Sequence, residues 1–333
     1  MRKGRIEVLG AILEADQSFS VRLGRRMPAF ARDEDAHLEL FGRIRYHLIE
    51  GDPIPVQWRK APDLFLMKAS PTVMIVGPVD SGKSSLCTFL ANMALNLSNR
   101  VALVDGDPGQ GDIGPPSCIA FGMASKQFTD LRSIKPTYVG FLGVTSPSLD
   151  IQGDIDEIQR AVDLAHSSGS DYTFVNTDGW MDSDGIEHKR SVANRIKPDT
   201  IIYIGTYERP QVDERLFGQG AFVVEPLSNV LRRNTGTRAR ARLTNFIRYF
   251  RNSRLIVVPR NKIINMDSIL PEEGSIFGFF RFDKFIGLGI LEGWDESDSL
   301  RIYTSINSFD YAKAGKSTVP TLLDLLKKRT GRG

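Results

Sequence analysis

The sequence predicts an α/β chain in which a doubly wound, mostly parallel sheet lies between two small β domains. Three observations lead there. In the middle of the chain, short, wholly apolar runs alternate with segments of helical periodicity. A glycine-rich turn joins the first such run to the first such segment. Both ends carry short strand-like runs punctuated by Gly, Pro and Asp.

The N-terminal runs are residues 6–9 and 19–23, and a GDPIP turn from Gly51 to Pro55 marks the exit from this part. Residues 73–76 are apolar throughout, as expected of a strand buried on both faces. After the glycine-rich turn, Leu86, Phe89, Leu90, Met93, Ala94 and Leu97 recur at helical spacing. Residues 101–104, 172–175 and 201–204 read as further buried strands. Ile151, Ile155, Ile158, Val162 and Ala165 mark one intervening helix, and residues 185–196 another. From about residue 252 the pattern returns to strands, at 255–258, 275–280, 286–291 and 300–304, and residues 321–329 read as a terminal helix with a basic end. The expected domains are therefore 1–65, 66–252 and 253–333.

Composition restricts function mainly by exclusion. The 333 residues carry a net charge of only +3, so any argument for a nucleic-acid partner must be local. Cys87 and Cys118 belong to no CxxC or Cys/His cluster, which argues against a structural zinc site or a disulfide scaffold. Glu7 breaks the N-terminal apolar run before it reaches signal-peptide length, and no stretch approaches the roughly 20 apolar residues of a membrane span. The expected setting is the cytoplasm, with no membrane partner.

The glycine-rich turn carries the first chemistry. Gly77-Pro78-Val79-Asp80-Ser81-Gly82-Lys83-Ser84 fits GxxxxGK[ST] at every fixed position, between a buried strand and a helix as that phosphate-binding motif requires. With Ser85 it forms the expected ATP cradle, a P-loop. Backbone N–H groups turn inward on phosphate oxygens, and the helix N-terminus adds positive potential. Lys83 reaches the β- and γ-phosphates, and Ser84 holds Mg²⁺. The next strand leads into Asp105-Gly106-Asp107-Pro108-Gly109-Gln110. Two aspartates at i and i+2 leave a strand on the same side. We assign Asp105 to the metal and Asp107 as the general base for an incoming nucleophile.

The P-loop does not name the acceptor. No NKxD guanine-specificity motif is present, since Asn261-Lys262 is followed by Ile-Ile-Asn. Asn176-Thr177-Asp178-Gly179-Trp180 follows a buried strand, so Trp180 is either a stacking platform for a base at the site rim or a core residue closing the sheet. Arg232, Arg233, Arg238, Arg240, Arg242, Arg248, Arg251 and Arg254 follow one another with no intervening acidic residue. They suit either a lid over the γ-phosphate, at about residues 226–250, or a solvated basic helix face.

Taken together, GPVDSGKSS, DGDPGQGDIGPP, FLGVTSPS, NTDGW and VLRRNTGTR resemble the polynucleotide 5′-hydroxyl kinases related to the kinase subunit of the pre-mRNA cleavage factor and to the nucleolar kinases of ribosomal RNA processing. The three-part layout matches as well, and GDPIPVQW, from Gly51, is similar to archaeal members. The resemblance implies ATP and Mg²⁺ as cofactors and a nucleic acid with a free 5′-hydroxyl end as partner, RNA before DNA. It implies that Asp107 activates that hydroxyl, with Gln110 beside it in the substrate site. It makes Thr145 and Ser146 a clasp on the terminal phosphodiester and Trp180 the base platform. It makes Arg233 and Arg238 the lid arginines, with Arg232 a rival to Arg233. Asp178 stands where relatives often carry a smaller or uncharged residue, so its charge must be paired or turned toward the metal. Two other readings share the same motifs: an ATP-loaded, non-catalytic scaffold of an RNA-processing complex, and a partitioning-type or metal-insertion NTPase with a protein client.

Overall fold

In a computed structural model, residues 1–22, 25–98, 100–205, 221–228 and 235–329 are described. The chain opens with a three-stranded antiparallel sheet, β1 (Ile6–Val8), β2 (Ala11–Leu13) and β3 (Phe30–Ala31), in the order β2-β1-β3. Residues 19–22 of the second expected strand are irregular, and Leu23 lies outside the described residues. The apolar alternation is overridden there: Val21 is exposed and Arg22 reaches across to Asp130 at 2.7 Å.

The central sheet has seven strands in the order β10-β9-β4-β8-β5-β6-β7. They are β4 (Thr72–Val76), β5 (Val101–Gly106), β6 (Cys118–Ala124), β7 (Tyr138–Phe141), β8 (Tyr172–Thr177), β9 (Thr200–Ile204) and β10 (Phe222–Val224). β4 is parallel to β8 and β9, and β9 is parallel to β10. All five β4 residues are buried, which is why the four after Thr72 form an unbroken apolar run rather than an alternating one. Among the helices are α1 (Val56–Lys60), α2 (Lys83–Ala94), α3 (Ile151–Ser167) and α4 (Ser183–Ile196). Leu97, expected on α2, lies beyond its end and is exposed. A five-stranded antiparallel sheet follows, in the order β11-β14-β13-β12-β15, from β11 (Arg254–Val258), β12 (Ser275–Arg281), β13 (Lys284–Trp294), β14 (Leu300–Thr304) and β15 (Tyr311–Thr318). α5 (Thr235–Tyr249) precedes it and α6 (Pro320–Arg329) ends the described chain. No helix among the described residues is long and apolar enough to cross a membrane.

Two compact units result. One comprises Met1–Asp105, Phe121–Thr137 and the described residues between Ile158 and Arg232. Within it Asn92 of α2, fully buried, donates to the Leu9 and Phe128 carbonyls at 2.8 and 2.7 Å, fastening the small N-terminal sheet to the helix that follows the glycine-rich turn. Trp58, also fully buried, lies 5.8 Å from the Phe89 ring and donates its indole N–H to the Glu225 carbonyl. The other unit comprises Gly106–Ala120, Tyr138–Glu157 and the described residues from Arg233 onward. Its core gathers Phe246 and Phe250, on and just past α5, with Ile276, Leu288, Tyr303 and Leu322. Each such side chain contributes about 1.5–3 kcal/mol by leaving water. This burial fixes the rotation of α5 and hence the direction of its arginines.

Candidate active site

In the first unit β4 delivers the chain into a turn of unusual backbone geometry. Gly77 has φ 158°, and a Cβ there would meet the Ile204 carbonyl oxygen at 2.5 Å. Asp80 has φ 61°, and Gly82, at φ 100°, caps α2 from the left-handed region without a side-chain bond. Lys83 is buried, and its ammonium donates to the Gly77 and Pro78 carbonyls at 2.8 and 2.9 Å. Val79 is exposed, while Ser84 and Ser85 are half-buried on the first turn of α2.

The turn fits a nucleotide's phosphates. It combines a helix N-terminus, a lysine beside it and a buried Ser81 hydroxyl that has no hydrogen-bond partner among the described residues. Ser84 and Asp105 offer the hard oxygen donors that suit Mg²⁺. Asp105 is buried at the end of β5 and accepts from Asn176 Nδ2 at 3.3 Å, while Asn176 Oδ1 has no partner among the described residues. β8, which carries Asn176, lies between β4, which leads into the turn, and β5, which carries Asp105. Among the described residues no group of three or more His, Cys, Asp or Glu could hold a metal.

The Asn176–Trp180 segment leaves β8 directly over this turn. A Cβ on Gly179 would meet Val79 Cγ2, Cα and N at 2.5–2.7 Å, so only glycine allows so close an approach. Trp180 is half-buried in the loop after β8. Its ring lies 5.8 Å from His188 at 33°. Asp178 is buried and forms an ion pair with Lys189 of α4, a fully buried lysine. The extra negative charge is therefore paired.

In the second unit the Asp107 carboxylate accepts from the N–H groups of Gly109 and Gln110, each at 2.9 Å, in a turn closed by its own side chain. Gln110 is half-buried beside it. Arg242 Nε donates to the Gly109 carbonyl at 3.2 Å, and Asn245 Nδ2 donates to the Gly111 carbonyl at 3.4 Å. Thr145 donates its N–H to Ser317 Oγ of β15 at 2.9 Å, and the Ser146 and Ser148 hydroxyls lie 2.8 Å apart. A Cβ on Gly109 would meet the Thr145 carbonyl at 2.7 Å and Asp107 Oδ1 at 3.3 Å. Asp107, Gln110 and Thr145 are thus brought together, with α5 and β15 behind them. Gly109→Ala is expected to push the Asp107 turn off the Thr145 loop and cut turnover by about tenfold to a hundredfold. Steady-state kinetics on a variant with unchanged circular dichroism checks this.

Arg238 is half-buried on α5. Arg233 and its rival Arg232 lie outside the described residues. Four side chains that support these segments, Arg242, Asn245, Ser317 and Lys189, have no sequence motif of their own. Arg242 is one turn beyond Arg238 and indistinguishable from its neighbours in an arginine run. Asn245, Ser317 and Lys189 act across long sequence separations that no local motif records.

The sequence model described as mRNA cleavage and polyadenylation factor CLP1 P-loop matches residues 77–252, more than half of the chain. The chain belongs to this family. The CLP1 P-loop match begins at Gly77, the first residue of the phosphate-binding turn, and includes both Asp105 and Trp180. The polyribonucleotide 5′-hydroxyl-kinase of Thermococcus kodakarensis is 33% identical over 249 residues, 72% of this chain and 69% of the relative. That of Methanocaldococcus jannaschii is 31% identical over 210 residues, 60% of this chain and 58% of the relative. The Bos taurus polyribonucleotide 5′-hydroxyl-kinase Clp1 is 24% identical, with 51% of its length covered. The chain thus spans between about half and about two-thirds of these relatives' lengths. Among solved structures, a chain of the wild-type Clp1p–Pcf11p complex superposes with a TM-score of 0.68 at 15% identity, covering 95% of this chain and 92% of that one, a likeness of fold.

Proposed function

We propose that the protein is an ATP-dependent polynucleotide 5′-hydroxyl kinase of RNA processing or repair, working in the cytoplasm on RNA and, second to it, on DNA. The observation that carries this reading is the seating of the Trp180 loop on the phosphate-binding turn through Gly179 and Val79. That seating supports a base-stacking role for Trp180 next to the phosphate-binding turn. The names of the archaeal relatives support the same reaction.

Lys83 and the N-terminus of α2 bind the β- and γ-phosphates and stabilise the charge that moves onto the leaving ADP. Ser84 and Asp105 would hold Mg²⁺, which would supply charge neutralisation on the phosphates. Asp107 takes the proton from the 5′-hydroxyl as its oxygen bonds to the γ-phosphorus and the bond to the β-phosphate oxygen breaks. Thr145, Ser146 and Gln110 hold the terminal phosphodiester, and Arg238 with Arg233, or Arg232, closes over the transferred group. The boundaries near residues 65 and 252, with a lid at about 226–250, belong to the same proposal.

Trp180→Ala is expected to weaken binding of a 5′-hydroxyl oligonucleotide by about 1–3 kcal/mol while ATP binding is largely retained. Paired titrations with oligonucleotide and nucleotide check it, and unchanged oligonucleotide affinity would show that the indole is not the platform. Phosphoryl transfer to matched RNA and DNA oligonucleotides, single- and double-stranded, tests the acceptor class. The scaffold reading expects bound ATP and no labelled product on any of them.

A further inference from the structure

We infer that Lys189 is a positioning residue for the nucleic-acid end: it tethers the Trp180 platform to α4 through Asp178. The inference rests on the reading of Trp180 as the surface that receives the terminal base.

Lys189 is fully buried, and lysine is almost never so without a partner. Its ammonium pairs with Asp178 Oδ2 and lies 3.1 Å from His188 Nδ1. The other carboxylate oxygen, Asp178 Oδ1, accepts the Trp180 backbone N–H at 2.7 Å. The carboxylate therefore bridges α4 and the backbone that carries the indole. Two close approaches complete the seat. Gly179 rests on Val79 of the phosphate-binding turn, and a Cβ on Gly185 would strike the Trp180 carbonyl group. The Trp180 ring then lies against His188, the residue preceding Lys189. Thr177 holds the root of the loop by donating its hydroxyl to the Ile75 carbonyl at 2.8 Å.

A buried ion pair is a poor source of net stability, because desolvation offsets most of the attraction. What this pair supplies is orientation. With the ammonium on Oδ2, Oδ1 is directed at the Trp180 N–H, so the platform is held at a set height beside the phosphates. The tether acts on the nucleic acid through Trp180 and leaves the lysine of the cradle untouched.

Lys189→Met is expected to raise KM for a 5′-hydroxyl oligoribonucleotide about tenfold, a cost typical of a misplaced binding group. KM for ATP should stay within about twofold of wild type, and the oligonucleotide KM should change more than kcat. Because this variant strands a buried carboxylate and can fail to fold, the deciding protein is the double variant Asp178→Asn/Lys189→Met, which removes both charges at similar volume. The amide oxygen can still accept the Trp180 N–H, but no ammonium anchors the other end of the side chain to α4. The tether predicts a folded double variant that keeps the raised oligonucleotide KM and shows a broadened 5-fluorotryptophan resonance for Trp180, assigned with Trp180→Phe. A double variant with wild-type oligonucleotide KM and a sharp resonance overturns it. So does one that fails to fold, which would make the pair a requirement of the fold alone. The resonance needs no turnover. If the wild-type protein transfers no phosphate, the kinase reading falls while the tether is still judged on the fluorine signal.

Discussion

Lys83→Ala is expected to abolish phosphoryl transfer. Removing a single fixed donor from a developing negative charge typically costs about 10²–10³-fold in turnover, and here a full charge is lost from beside the transferred group. The substitution also removes the two bonds by which the ammonium holds the Gly77 and Pro78 carbonyls. Lys83→Met loses the same charge and the same two bonds but keeps the buried stem, so it controls for lost packing alone. Both variants should retain the far-ultraviolet circular dichroism of the parent. A transfer assay with γ-labelled ATP should detect less than about a thousandth of wild-type product for either.

Asp107→Asn is expected to lower kcat by about 10²–10⁴-fold, the usual contribution of a general base, with ATP affinity nearly unchanged. The amide oxygen can still accept the Gly109 and Gln110 N–H groups that close the turn, so the loop should hold its shape while the proton acceptor is lost. Nucleotide titration and single-turnover kinetics on the same preparation check both halves. An Asp107→Asn enzyme with normal turnover would assign proton removal elsewhere. Loss of ATP binding would instead make Asp107 part of the nucleotide site.

The strands that build the phosphate site were legible because burial on both faces leaves an unmistakable trace. β4, β5 and β9 each contain an apolar run of four residues, and β8 is apolar from 172 to 175 except for Thr173. β6 and β15 leave a weaker trace: Gly122 interrupts CIAFGMA, and YAKAGKST mixes small, polar and glycine residues. The run at 19–22 failed for the converse reason: local alternation without a partner strand does not make a sheet. At the site, Lys83, Ser84 and Asp105 follow from short-range spacing around one strand–turn–helix unit. The supports behind them do not. Lys189 stands eleven residues from Asp178, and Ser317 stands 172 from Thr145, so neither pairing has a linear signature. The charge on Asp178 posed a question that sequence could raise and only α4 could answer.

The proposed reaction transfers the γ-phosphoryl group of ATP to a free 5′-hydroxyl end. The most direct measurement is a single-turnover reaction of the wild-type protein with γ-labelled ATP, offered an oligoribonucleotide ending in a 5′-hydroxyl and its twin already bearing a 5′-phosphate. The account predicts label on the hydroxyl-ended strand, removable by phosphatase, and none on its twin. Label recovered only as free phosphate, with both strands unmarked, would contradict it.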